Sequence, residues 1–277
     1  MDNLTIVICT LNSENTIKDV ITSLKKDKNI KKNNIIIIDG KSSDNTVKIA
    51  SKLVGNIYFD EGKGLSIARN IGLDMCETDY IFYVGPDNLI PKKIYNKLIL
   101  ELESNNWVGI SATSYYENPN SYFEKSFNIY KKSKFYPGEK NIIGTPWLYK
   151  TSILKKFRWG INNTFSDDTD LCQRLIEHNY KVGISKKVTY EIGELNLKEI
   201  IARWKMYGKS DYEFFFYNTN DFNLIRKIRS FFNPFIVDLF NPLFSSNIKI
   251  LNKVYIVPFL IFISLIRFKT FLTNFSK

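Results

Sequence analysis

Histidine and cysteine are scarce in this chain. His178 is the only histidine, and the three cysteines, Cys9, Cys76 and Cys172, are odd in number and sit in apolar stretches. No Cys/His pair has zinc-site spacing, which leaves no basis for a histidine triad or a histidine-built metal centre. The thiols read as buried and reduced, which predicts a reducing compartment. Glycine is missing where two common nucleotide loops need it. The turn after the first strand is Thr10-Leu11-Asn12-Ser13, without the glycines of a dinucleotide fingerprint, and no Walker loop is present. A charged-then-apolar leader is absent too, since a strand is entered by Leu4, and this predicts a cytoplasmic protein without a secretory signal. Acids nearly vanish from the C-terminal stretch. Residues 225–277 hold eight Lys or Arg against one acid, Asp238, and so carry +7 of the formal +11.

What is present is globular: 44% hydrophobic and 24% charged over 277 residues, enough to bury one sizeable core. Leu4–Cys9, Ile35–Ile38, Ile57–Phe59 and Tyr80–Val84 are short apolar runs that predict buried strands. Between them, Ile17/Val20/Ile21/Leu24, Val47/Ala50/Val54 and Ala68/Ile71/Gly72/Met75 recur at helical spacing, and Pro91 opens another such face. The alternation predicts an α/β fold with a mostly parallel, right-handed central sheet. Its strands end beside Thr10 and Asn12, Asp39, Asp60 and Asp87, at the edge where open α/β sheets keep their ligands. Two carboxylates on separate strand ends, one for a base or ribose and one for a divalent cation, suit a nucleotide-diphosphate ligand.

Several segments in order then resemble one family. They are Ile8-Cys9-Thr10-Leu11-Asn12 with Glu14; Asp39-Gly40-Lys41-Ser42-Ser43-Asp44-Asn45-Thr46; Gly64 with Ala68-Arg69-Asn70 and Gly72; Tyr80–Asn88; Phe165–Leu175 with the pair Asp167-Asp168; and Arg203-Trp204 with Tyr207-Gly208-Lys209. Together they resemble the motifs of family 2 glycosyltransferases of the GT-A fold over roughly residues 4–215. The resemblance implies inverting sugar transfer from a nucleotide-diphosphate donor, a UDP-sugar. Asp39 would face the nucleobase, and Thr10, Leu11, Asn12, Glu14, Arg69 and Asp87 would complete the nucleotide site. Asp87 would hold Mn²⁺ or Mg²⁺ on the pyrophosphate, and Asp168 would be the general base. Trp147 and Asp167 fall on the acceptor side. The division is chemically coherent: a cation stabilises the leaving pyrophosphate, a carboxylate takes the acceptor proton, and Asp167 raises the pKa of its neighbour.

The chain departs from the family pattern at three places. Gly85-Pro86-Asp87 replaces Asp-x-Asp, Lys41 replaces a glycine, and Glu191 stands about where a metal-side histidine is common. Bland roles also exist: Asp39 and Asp44 as turn and helix caps, Asp167, Asp168 and Asp170 as an acidic helix start, His178 as an exposed helix end, Trp147 as core. Residues 1–220 are expected to form the catalytic domain, with 1–109 its nucleotide-binding half and 110–220 its acceptor half. In the acceptor half, the aromatics of Ser114–Lys134 suit sugar stacking or ordinary helix packing.

The remaining 221–277 predicts a helical, basic-hydrophobic extension. Its uncharged core, Val254–Ile266, is about 20 Å long as a helix, short of the ~30 Å hydrocarbon layer, and contains Pro258. The expectation is therefore helices lying on an anionic membrane surface, with packing on the catalytic domain or homo-oligomerisation through these helices as the alternative. A peripheral enzyme at the inner face of a membrane, acting on a glycan or lipid-linked acceptor, follows. Nucleic acid is not an expected partner, because the basic residues interleave with apolar ones. A nucleotidyltransferase would need a glycine-rich basic loop after strand one, which is absent. An inactive sugar-nucleotide-binding scaffold subunit would have no use for Asp168.

Overall fold

The computed structural model describes residues 3–161, 167–218 and 223–275. These residues form two compact units, one of residues 1–117 and 137–193, the other of 118–136 and 194–277.

The first unit is built on a sheet in the order β3-β2-β1-β4-β8-β6-β9-β5, with β7 beside β9. The strands are β1 (Leu4–Thr10), β2 (Ile35–Asp39), β3 (Asn56–Phe59), β4 (Tyr80–Val84), β5 (Asn88–Leu89), β6 (Gly109–Tyr116), β7 (Gly138–Lys140), β8 (Trp147–Lys150) and β9 (Val182–Glu191). Helices α1 (Ile17–Lys25), α2 (Thr46–Ser51), α3 (Leu65–Asp74) and α4 (Ile94–Ser104) alternate with the early strands, as the sequence periodicity predicts. β1 to β4 run parallel, and their inner positions Ile6, Ile8, Ile35, Phe82 and Val84 are buried against Ile17, Ile21 and Leu98. Beyond β4 the sheet turns mixed: β8 is antiparallel to β4 and β6, and β9 is parallel to β6. Two helices follow in this half, α6 (Thr151–Phe157) and α7 (Asp167–Glu177). Gly72 has a steric reason. A Cβ there would lie 2.5 Å from Val7 Cγ1, so only glycine lets α3 press this close to β1.

The second unit is helical, and it corrects two expectations and decides a third. The boundary expected near residue 220 falls inside it, because α8 (Leu197–Asn218) belongs with α5 (Tyr122–Lys134), α9 (Leu224–Phe231), α10 (Asn233–Phe235), α11 (Asn241–Phe244) and α12 (Ile250–Phe275). Of the two roles open to the α5 aromatics, helix packing holds for Phe127 and Tyr130 and sugar stacking does not. Phe127 and Tyr130 are buried and pack edge-on against Trp204. Finally, Pro258 does not interrupt the last helix, which runs through it for 26 residues, roughly 39 Å at the α-helical rise. Among the described residues this is the one helix long and apolar enough to cross a bilayer, with mean hydropathy 1.8.

A buried polar knot ties the second unit together. Asp238 is fully buried on a π-helical turn, Ile236–Phe240. Its carboxylate accepts from Tyr130 Oη at 2.6 Å, Trp204 Nε1 at 3.0 Å and Arg267 Nη1 at 2.9 Å. Arg267 also grips Asp211 through Nε and Nη2, at 2.6 and 2.8 Å. The Tyr207-Gly208 element serves this packing: a Cβ at Gly208 would lie 2.3 Å from the Arg267 carbonyl oxygen. One helix, α9, joins this packing only at its end, where Phe231 meets Phe268 and Phe271 edge-on. On α9 no residue is buried, and Leu224, Ile225 and Ile228 stand exposed beside Arg229.

Candidate active site

The parallel register places the predicted polar residues in a row. Thr10 lies opposite Asp39, Ile8 opposite Val84, and the backbone N–H of Asp60 donates to the Asp39 carbonyl at 3.1 Å. Thr10, Asp39, Asp60 and the turn leading to Asp87 therefore share the carboxyl edge of the sheet.

At the β1/β2 end the side chains are busy with one another. Asp39 is 1% exposed, and its carboxylate accepts from the Ser42 backbone N–H at 2.8 Å and Ser42 Oγ at 2.6 Å. The carboxylate expected to meet a base is thus turned inward as a turn cap. Ser42 Oγ accepts from Asn12 N at 2.9 Å, while Asn12 Oδ1 accepts from Ser43 N at 2.9 Å. Glu14 Oε2 takes the backbone and side-chain N–H groups of Asn45, both at 2.9 Å. Asn12 and Glu14, predicted nucleotide ligands, brace the 42–46 loop in this structure. Lys41 sits in the left-handed region at φ 72°, which explains why a glycine suits that position. Leu11 is exposed, and the buried Thr10 hydroxyl has no hydrogen-bond partner among the described residues.

On the other flank of β1, α3 and α7 bring charges together. Arg69 is buried and forms an ion pair with Asp167, which is also buried and accepts from Ser66 Oγ at 3.2 Å. Trp147 and Trp159 stack at 4.9 Å, and each ring centroid lies 4.8 Å from the Arg69 guanidinium carbon. Asn70 holds the Trp159 backbone by two reciprocal bonds, at 2.9 and 3.0 Å. Trp147 is 1% exposed. The acceptor-stacking role expected of it is corrected, because both neighbours of its ring are protein groups. Asp167 likewise faces Arg69 and not solvent. Asp168, next in sequence, is half-buried. Burial, and then the Asp167 charge, push its carboxyl up to about 6, while Arg69 and the Thr169 hydrogen bonds pull the other way. A carboxylate with that affinity is ionised at neutral pH yet a better proton acceptor than an exposed one. Phe165 and Ser166, which open this motif, lie outside the described residues.

Asp87 follows the β4 turn and is half-buried, and its carbonyl accepts from Ile192 N at 2.9 Å. β5 pairs with β9 so that Asn88 lies opposite Glu191, one residue along from Asp87. At Gly85, where the family pattern has its first acid, a Cβ would lie 2.8 Å from Asp87 Oδ1. Among the described residues no three His, Cys, Asp or Glu side chains converge as a metal cage. Two oxygen donors are nevertheless what Mg²⁺ commonly takes from protein when substrate phosphates complete its shell. Asp87 and Glu191 supply two carboxylates at this end of the β5/β9 pair.

The profile described as Glycosyl transferase family 2 matches residues 5–158, over half of the chain. The chain belongs to glycosyl transferase family 2. Among curated relatives it is 27% identical over 173 residues to the poly(ribitol-phosphate) β-N-acetylglucosaminyltransferase TarP of Staphylococcus aureus strain N315, covering 57% of this chain and 49% of that one. It is 24% identical over 197 residues to poly-β-1,6-N-acetyl-D-glucosamine synthase of S. aureus strain MW2, covering 66% and 48%. The chain spans about half or less of the length of the curated relatives it matches. Among solved structures, the Pyrobaculum calidifontis mannosyltransferase PcManGT with GDP-Man and Mn²⁺ superposes at TM-score 0.64, with 11% identity over 96% of this chain and 86% of that one. S. aureus TarS 1–349 with UDP-GlcNAc gives 0.54, with 15% identity over 97% and 89%. These likenesses establish a GT-A-like fold for this family 2 chain. Two contributors escaped the sequence reading: Ser66 and Trp159. Each acts on a residue far along the chain, so no local spacing marks it.

Proposed function

We propose that this family 2 chain is an inverting glycosyltransferase that moves a sugar from a UDP-sugar to a hydroxyl of a lipid-linked or cell-surface glycan. The observation that carries the reading is Asp168, a carboxylate tuned toward neutral pH beside the carboxyl edge of the sheet. In the reaction Asp168 takes the acceptor O–H proton as that oxygen bonds to the anomeric carbon. The bond from that carbon to the diphosphate breaks, and the nucleoside diphosphate leaves with the electron pair.

Asp87 and Glu191 would hold a divalent cation, which supplies positive charge to the diphosphate when bound. Asp39 and Thr10, with Leu11, Asn12 and Glu14, shape the floor and loop on which nucleoside and ribose rest. The uridine assignment draws on neighbours solved with UDP-GlcNAc or UDP; the acceptor assignment draws on the poly(ribitol-phosphate) and polysaccharide relatives. The second unit adds a membrane contact in this reading. The exposed Leu224, Ile225, Ile228, Ile250 and Leu251 lie among Arg226, Lys227, Arg229 and Lys249, a composition that suits an anionic bilayer surface on the cytosolic side.

The test is a panel of nucleotide-sugars assayed for donor hydrolysis and transfer, with and without Mn²⁺, using Asp168→Asn as the control. UDP-sugar turnover that depends on Asp168 is the expected result. No turnover of any donor, with nucleotide binding retained, would favour a sugar-nucleotide-binding subunit instead.

A further inference from the structure

Arg69 has a role in this structure that nucleotide binding does not describe. Its guanidinium is enclosed on all the sides the structure defines: Asp167 at its Nη1, Trp147 and Trp159 at 4.8 Å each. The Arg69 carbonyl is held as well, accepting from Tyr83 Oη at 2.9 Å. Asp167 is bound on its other side by Ser66. A buried ion pair walled by indoles costs desolvation and is weak evidence of stabilisation, so the arrangement asks for another reason. The adjoining residue supplies one. Asp168 sits next to a second carboxylate, and two neighbouring acids in a poorly solvated place cannot both ionise near neutral pH unless a cation offsets one of them.

We infer that Arg69 and Asp167 are positioning residues for the base, a buried ion pair whose two charges set the field in which the adjoining Asp168 works. This rests on the assignment of Asp168 as base. The charge inventory around Asp168 is short among the described residues. From its own helix it feels Asp167, and Cys172, whose thiol burial pushes up to about 12. From α3 it feels Arg69, and from β8 Tyr149, whose phenol burial drives well above its usual range. Cys9 on β1, beside the pair, is likewise raised to about 12, chiefly by burial. Asp170 is engaged by Arg174 at 2.7 and 3.0 Å. The tyrosine and both thiols are neutral at physiological pH, so after burial itself the charges that tune the base are Asp167 and Arg69. Trp147 and Trp159 keep water out of the pair and so strengthen its field.

The experiment reads the acid limb of the kcat/KM profile in the full chain with a UDP-sugar it turns over. Asp167→Asn removes the repelling charge and should move the limb to lower pH, and Arg69→Met removes the attraction and should move it higher, each by about one unit. The double variant Arg69→Met/Asp167→Asn should return close to the wild-type limb. A merely structural pair would lower activity in all three without moving the limb, and that result overturns the inference. Asp168→Asn separates this from the underlying assignment: if that variant turns over normally, the base lies elsewhere. Where Arg69→Met fails to fold, with Asp167 left as a lone buried charge, Asp167→Asn and the neutral double variant decide the matter by the same limb.

Discussion

Asp168→Asn should do two opposite things at once. The carboxyl is raised from 3.8 to about 6 in the folded chain, a difference of about 3 kcal/mol between its two protonation states. A raised folded-state pKa means that the fold binds the proton more tightly than the unfolded chain does. Its contribution to stability is therefore full below about pH 4 and lost as pH climbs through about 6. At pH 8 the wild type carries the whole penalty of a poorly solvated charge, and an asparagine of the same shape carries none. Urea denaturation at pH 8 should find the variant more stable, by up to ~3 kcal/mol, with the advantage gone near pH 4. Turnover should meanwhile fall by on the order of a hundredfold or more, with donor affinity kept. In the wild type, the ionised fraction implies an acid limb: roughly nine-tenths charged at pH 7 and one-tenth at pH 5. A variant no more stable than wild type at pH 8 would refute the claim that burial disfavours this charge. A wild-type rate flat from pH 7 to 5 would refute its use as base.

Other outcomes are expected. Asp87→Ala should weaken UDP affinity by on the order of tenfold or more with Mn²⁺ present and have little effect without it, by calorimetry. Asp238→Ala leaves the buried Tyr130 and Trp204 donors without their acceptor and Arg267 with Asp211 alone and should cost roughly 2–4 kcal/mol in urea denaturation. The same carboxyl is held below the ordinary range, because Arg267 and Lys134 outweigh burial. Its contribution is present above its unfolded value of 3.8 and should fade as pH falls below it. The full chain should co-sediment with anionic liposomes and be partly released by salt, at ~1 kcal/mol per engaged Lys or Arg. Ile225→Glu with Ile228→Glu, both exposed, should abolish that binding without unfolding the chain.

Much of the first unit was legible because its signals are local. Runs such as Ile35–Ile38 and Tyr80–Val84 are short and rich in β-branched or aromatic residues, which favours buried strands, and a polar residue just beyond each then lies at one edge of a parallel sheet. Whether that residue reaches outward was not legible. Asp39 turns onto Ser42 three residues away, a choice of side-chain rotamer that periodicity does not encode. Trp147 could serve from sequence as an acceptor-side platform or as core, and β8 decides for core by placing it against Trp159 and Arg69. The second unit was least legible. Tyr130 and Asp238 meet across 108 residues, and Pro258 lies within α12, where packing against α8 holds the helix continuous. Local breaker rules lose to tertiary contact there.

The knot at Arg267 limits what α12 can do at a membrane. By length and composition the helix matches a bilayer, but Arg267 lies within it, committed to Asp211 and Asp238. Threading α12 through lipid would carry that guanidinium into hydrocarbon, at ~3 kcal/mol or more near the bilayer centre. It would also take from Asp211 and the fully buried Asp238 the guanidinium both are hydrogen-bonded to, at a further several kcal/mol. The arginine acts as a latch that ties a bilayer-length helix to the rest of the helical unit. Engagement with lipid, in the reading proposed above, is then a docking of the intact helical unit by its outward apolar side chains, reversible and responsive to salt.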